Sequence, residues 1–227
     1  MAKIDGGIAD AGSEEPAADE HVILVVCPTH RDLRELPRVS PRGVKYLFHD
    51  YASISLEDLI CNVASHAGFA GPLEEMEAIL AEVAGVRLAG VISTDDYPGS
   101  ALAAAIAKRL GLPGPDPAVT LICQHKYLAR IEQAKIVPEA VPPFALIDVA
   151  APLPRGLRFP LFVKPVKSFF SIGAERVDSP SALAALFPRW AAQDQFFAPL
   201  DQMLQRCTGS SIGTKRLIAE GLLKGEQ

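Results

Sequence analysis

The 227-residue chain is 49% hydrophobic, carries 22 Lys and Arg against 27 Asp and Glu, and has a formal net charge of -5. That hydrophobic share excludes wholesale disorder and can furnish a core for one large or two small domains of roughly 100–200 residues each. The acidic balance argues against a nucleic-acid binder held by bulk charge, and no apolar run reaches the roughly 18–20 residues that span a bilayer, so a soluble cytoplasmic protein is expected.

Residues 1–20 are rich in Gly, Ala, Asp and Glu and read as a disordered leader. Residues 21–27 form a continuous apolar run, the pattern of a buried parallel strand. Cys27-Pro28-Thr29-His30 has a ligand-like spacing but too few donors for zinc. The four cysteines, Cys27, Cys61, Cys123 and Cys207, are widely spread and read as reduced thiols. A second strand is expected over 44–48 and a helix over 56–66, with Ser55 as its cap. A helix over 73–84 closes at Gly85, a strand follows over 86–92, and a polar turn occupies 93–98. The next helix covers 100–110, with Leu102, Ile106 and Leu110 on one face and Gly111 as its stop. Strands alternating with helices predict a parallel α/β domain over 21–112.

Residues 111–117 are a dense Gly/Pro turn cluster and mark a boundary. Asp116 caps the next helix, with Pro117 at its first position, and that helix is expected to run to about residue 134. Pro138, Pro142 and Pro143 break the pattern. A short strand follows over 144–148, another over 161–166, then a loop at 167–171 and a return strand to 177. Pro180 opens a helix carrying Leu183, Leu186, Phe187 and Trp190. A second helical stretch ends near 206, and a last strand covers 216–223. Helices that follow strand pairs predict an α+β layer over 113–227.

Lys164 is the residue that most demands a reason, because it interrupts the apolar segment Leu161-Phe162-Val163-Lys164-Pro165-Val166. Strand alternation puts Phe162 and Lys164 on one face. Other patterns fail. Gly209-Ser210-Ser211-Ile212-Gly213-Thr214-Lys215 has the ingredients of a phosphate loop, but its Lys does not directly follow the second Gly. Gly68-Phe69-Ala70-Gly71 follows a helix rather than the strand a dinucleotide fingerprint needs. The five His residues show no triad spacing.

Taken in order, His125-Lys126, Leu161–Val166, Ser168 to Gly173 and Glu220-Gly221-Leu222-Leu223-Lys224-Gly225-Glu226-Gln227 resemble the nucleotide-gripping part of an ATP-grasp ligase. The resemblance covers about residues 111–227, and the preceding α/β unit suits the family's N-terminal domain. It implies that Lys126 and Lys164 contact the phosphates of ATP. Ser168, Ser171 and Gly173 would belong to a loop closing over those phosphates, although Phe169 and Phe170 stand where small residues are usual. Glu220 would take the exocyclic amine of adenine, the backbone at Leu222 the ring edge, and Gln227 or Glu226 the ribose. Such ligases activate a small carboxylate as an acyl phosphate for attack by an amine or thiol, with magnesium on the phosphates. Their metal ligands lie beyond the adenine hinge, so the resemblance implies no metal ligand in this chain. It implies a chain that ends before the catalytic half and binds nucleotide weakly by itself. Leu217, Ile218, Leu222 and Leu223 would then be exposed and favour association, a homodimer among the outcomes. Two other readings stand beside this one. One is a non-catalytic regulatory or interaction protein that retains the fold. The other is an α/β protein binding a small acid at the strand ends near Thr94, Asp95 and Asp96.

Overall fold

The apolar run His21–Val26 forms β1, the central strand of a three-stranded parallel sheet of order β2-β1-β3, with β2 at Val44–His49 and β3 at Leu88–Ile92. The computed structural model describes residues 20–50, 71–148, 151–168, 170–191 and 197–223. The expected helix at 56–66, its cap Ser55, Cys61 and nearly all of the expected leader lie outside them. Leu24, Val25 and Val26 are at most 1% exposed, as suits a parallel strand covered on both faces. Helices α2 (Pro72–Glu82) and α3 (Ala101–Arg109) supply much of the cover. Residues Ala101 to Ala107 of α3 are all buried, which explains a helix almost without polar side chains. The glycines expected to stop the flanking helices have the left-handed backbone this requires, with φ of 91° at Gly85 and 67° at Gly111.

Helix α1 (His30–Val39) is not among the expected elements. It is strongly polar and contains Pro37, so no apolar period announces it. Its start is nonetheless specified by a capping box. Thr29 Oγ1 accepts from Asp32 N at 3.2 Å, and Asp32 Oδ2 accepts from Thr29 N at 2.8 Å. The Cys27-to-His30 spacing is therefore the entry to a helix.

The expected helix over 117–134 is two helices, α4 (Pro117–Gln124) and α5 (Lys126–Ile136), broken at His125. The backbone there is extended, and the buried imidazole caps α5, its Nδ1 accepting from Leu128 N at 3.3 Å. At the start of α4, Asp116 accepts from Ala118 N at 2.8 Å, with Pro117 in the first turn, as expected.

The second sheet is antiparallel, of order β4-β7-β5-β6, with β4 at Phe144–Ile147, β5 at Leu161–Pro165, β6 at Glu175–Val177 and β7 at Leu217–Gly221. The return strand β6 is shorter than expected because the chain turns through left-handed residues first, with φ of 51° at Phe170, 58° at Ser171 and 72° at Gly173. Leu161, Val163, Val177, Leu217 and Ala219 form a core with Leu186 and Phe187 of helix α6 (Pro180–Ala191). Helix α7 (Leu200–Thr208) comes from the same stretch of sequence, yet its Leu200, Met203 and Leu204 enter the core of the first sheet, as does Leu121 of α4. Leu217 and Ile218, expected to be exposed, are instead at most 1% exposed, because β7 is an inner strand. Leu222 and Leu223 are the exposed pair. Among the described residues no helix is long and apolar enough to cross a membrane.

Candidate functional site

The alternation read in β5 is real, since Leu161, Val163 and Pro165 are buried while Phe162 and Lys164 are less so. Register carries the pattern across the sheet. Phe144 of β4 and Phe162 of β5 both pair with Glu220 of β7, and Lys164 pairs with Ile218. One face is thus apolar and packs on α6, while the other presents Phe144, Ile218, Glu220, Phe162 and Lys164. Helix α5 lies by this second face, with the Tyr127 ring edge-on to Phe144 at 5.7 Å between centroids. Lys126 and Arg130 are four residues apart and share a side of α5.

Glu220 is the hub of the face. It is 5% exposed, and each carboxylate oxygen meets a cation, Oε1 accepting from Arg130 Nε at 2.6 Å and Oε2 from Lys164 Nζ at 2.7 Å. Burial alone would raise its pKa. The hydrogen bonds and charges of Arg130 and Lys164 outweigh that and hold it below the usual carboxylate range. Lys164 Nζ also stands 5.5 Å from the centre of the Phe162 ring.

Lys126 opens α5. Its backbone N–H donates to Val166 O at 2.8 Å, tying the helix start to the end of β5, and its Nζ donates to Ser168 O at 3.0 Å and Ser168 Oγ at 3.1 Å. None of the ion pairs among the described residues includes Lys126. Burial, then the like charges of Lys167 and Lys164, push its pKa down to about 8. Lys167 is 3% exposed and reaches back to the first sheet, pairing with Asp96 Oδ2 at 3.2 Å between the Tyr97 and Phe197 rings. Burial lowers its pKa too, against the pull of Asp96 and Asp95.

At the strand ends of the first sheet, Thr94 donates to Asp32, Asp95 Oδ2 accepts from Gly99 N at 3.2 Å, and Gln124 donates to Asp96 Oδ1 at 3.2 Å. Burial raises the pKa of Asp95. Asp32, Asp95 and Asp96 therefore give a small acid three carboxylates to face, with Lys167 already paired to one of them.

Of the residues expected to act together, Lys126, Lys164, Ser168 and Glu220 converge. Ser171 is exposed and Gly173 half-buried in the turn beyond Ser168, where Ala174 N donates to Ser171 O at 3.1 Å. Leu222 lines a neighbouring groove of about 510 Å³ with Pro143, Phe159, Gly221 and the basic side chains Arg158 and Arg176, a lining that does not include Lys126, Lys164 or Glu220. Gln227, Glu226 and Phe169 lie outside the described residues. Arg130 is a site residue not expected from the sequence, and its signal is its four-residue spacing from Lys126. Lys167 as a link between the sheets and His125 as a cap are likewise unexpected. Among the described residues, no group of three or more His, Cys, Asp or Glu is placed to hold a metal ion.

Comparison with protein-family models and with curated proteins gives no match. Solved structures do match. An L-amino acid ligase from Bacillus licheniformis superposes with a TM-score of 0.60 at 21% identity, over 92% of this chain and 48% of its own. A D-alanine–D-alanine ligase from Bacillus anthracis gives 0.52 at 12% identity, over 91% and 58%. A phosphoribosylglycinamide synthetase from Anaerococcus prevotii gives 0.50 at 14% identity, over 91% and 47%. The chain spans about half the length of these structures, and at such identities the likeness is one of fold. A parallel three-stranded α/β sheet followed by an antiparallel four-stranded sheet with helices, matched to these ATP-grasp ligases, is a partial ATP-grasp-like fold.

Proposed function

We propose that this chain is the ATP-holding portion of a ligase that activates a carboxylate. The supporting observation is the face of the second sheet beside α5, where Lys126, Lys164 and Arg130 gather around a single carboxylate, Glu220. Three cations stand around one buried anion, and burial, then the like charges of Lys167 and Lys164, lower the pKa of Lys126 to about 8. A polyanion seated there would relieve that repulsion, so the residues fit a triphosphate. Lys126 and Lys164 hold phosphate oxygens, Ser168 Oγ adds a hydrogen bond beside them, and Glu220 accepts from the amino group of adenine. Leu222, lining the neighbouring groove, Ser171 and Gly173 take the outer roles of ring edge and phosphate loop, with Gln227 on the ribose.

In the complete reaction a substrate carboxylate takes the terminal phosphoryl group of ATP and ADP leaves. An amine or thiol then displaces phosphate from the acyl phosphate. The part played by this chain is to bind and orient the nucleotide. Magnesium held on the phosphates would offset their charge in that step. The domain division at residues 112 and 113 belongs to the same reading, with the α/β unit as one wall of the cleft. Binding of ATP by this chain is expected to be weak, because it spans about half the length of the ligases it matches.

Isothermal titration of the chain with MgATP tests the proposal. Weak, saturable, one-to-one binding supports it. A folded protein that gives no heat with MgATP sinks it, and tight binding with turnover would overturn the expectation of weak binding. The small-acid reading is disfavoured by the three carboxylates at the first sheet's strand ends. A regulatory protein that keeps the fold would leave nucleotide affinity unchanged on Lys164→Ala.

A further inference from the structure

We propose that Arg130 is the positioning residue that keeps Glu220 an acceptor toward the nucleobase, and that it thereby sets a preference for an amino-bearing purine over an oxo one. The inference rests on the nucleotide reading above and concerns a residue to which that reading gives no contact with ATP.

With no nucleotide bound, Glu220 is saturated by cations, Arg130 Nε at 2.6 Å on one oxygen and Lys164 Nζ at 2.7 Å on the other. The two cations are not equivalent. Lys164 lies on the strand face beside Lys126 and is the one a triphosphate draws away, which frees Oε2. Arg130 is held from behind, its Nη1 donating to Gln133 Oε1 at 2.6 Å on the next turn of α5. Arg130 therefore stays when Lys164 leaves. A guanidinium does not lose its proton in a protein, so the counter-charge it gives Glu220 is permanent.

Without that charge, a 5% exposed carboxylate would stand between the cross-strand rings of Phe144 and Phe162. Such surroundings favour the protonated acid. The ionised form can only accept, which suits an exocyclic amine, whereas the protonated form donates, which suits an exocyclic carbonyl. The groups that bear on Glu220 are Arg130 and Lys126 from α5, Lys164 and Phe162 from β5, and Phe144 from β4, with Gln133 behind Arg130 and the Tyr127 ring against Phe144. Among the described residues no second carboxylate is near it, so among them the ionisation of Glu220 depends on Arg130 once Lys164 is engaged.

The test is the ratio of affinities for MgATP and MgITP, which differ in the 6-substituent and in the proton on N1, measured by titration of the 227-residue chain. The N1 difference is common to wild type and variants, so the change in the ratio reports Glu220. Any titration of Lys126 acts on the shared phosphates and cancels in the ratio. The wild-type protein should favour ATP on the order of tenfold, with a ratio flat between about pH 6 and about pH 8. In Arg130→Met the ratio should fall several-fold and shrink further as the pH is lowered, whereas Arg130→Lys should restore it. If Arg130→Met loses its thermal transition, Arg130→Gln, which keeps a donor without the charge, carries the same test. A folded variant with the wild-type ratio and pH profile overturns the inference, as does a wild-type protein that binds both nucleotides equally. A wild-type protein that binds neither overturns the nucleotide reading underneath.

Discussion

The two sheets bury similar apolar side chains and differ in the charge they gather. The parallel sheet is covered on both sides, so its polar groups collect at the strand ends, where Asp32, Asp95 and Asp96 are tied up by Thr29, Thr94, Gly99, Gln124 and Lys167. The antiparallel sheet packs on α6 with its apolar face, and its other face, beside α5, brings Lys164 and Glu220 to Lys126 and Arg130. One region is acid-rich and internally closed. The other carries more cation than anion. An anionic ligand has reason to choose the second, and that choice follows from the charge each sheet gathers.

The largest effect concerns the cores. Met203 is fully buried on α7 and belongs to the first core although it comes late in the chain. Met203→Ala should cost about 2–5 kcal/mol and lower a single cooperative unfolding transition. Two separate transitions, only the later of which moves, would break the picture of α7 stitched into the first sheet. Next, Lys164→Ala should weaken MgATP binding by roughly tenfold or more, and Lys167→Ala by less, because Lys167 is turned to Asp96. Equal losses in a titration of the two variants would contradict the assignment of the site to the sheet face.

The pH dependence is a finer test. The folded-state pKa of Lys126 is about 8, below the 10.5 of an unperturbed lysine. Folding therefore disfavours its proton. The resulting cost to stability is full below about pH 8 and is relieved as the pH rises toward 10.5. Phosphate binding needs the charged form, so MgATP affinity should fall as the pH rises through about 8, and binding there should take up a proton. Titration in buffers of different ionisation enthalpy measures that uptake, and Lys126→Arg should abolish it. A wild-type protein with no uptake would separate Lys126 from the phosphates. The smallest effect is at the closed end. Thr29→Ala removes the cap of α1 and should cost about 1 kcal/mol in chemical denaturation while leaving nucleotide affinity as it was.

Much of this difference could be read from the residues, where local physics decides. The run at β1 announced a strand buried on both faces, and the interruption at Lys164 announced one with a single apolar face. Asp116 with Pro117, and the glycines at 85 and 111, marked helix ends by backbone geometry that few other residues share. What escaped was set by long-range contact. Glu220 meets Lys164 and Arg130 because β7 inserts between β4 and β5, an order invisible in the chain. The break at His125 lacks Gly or Pro and depends on a buried imidazole capping the next helix. Helix α1 was hidden by its polarity, although Thr29 and Asp32 had the spacing of a capping box.

The most direct test of the central claim is a two-dimensional amide NMR titration of the chain with MgATP. The account predicts saturable shifts concentrated at residues 126–130, 164–168 and 217–222, with little change at 93–99. Shifts confined to 93–99, or a folded spectrum that MgATP leaves untouched, would contradict it.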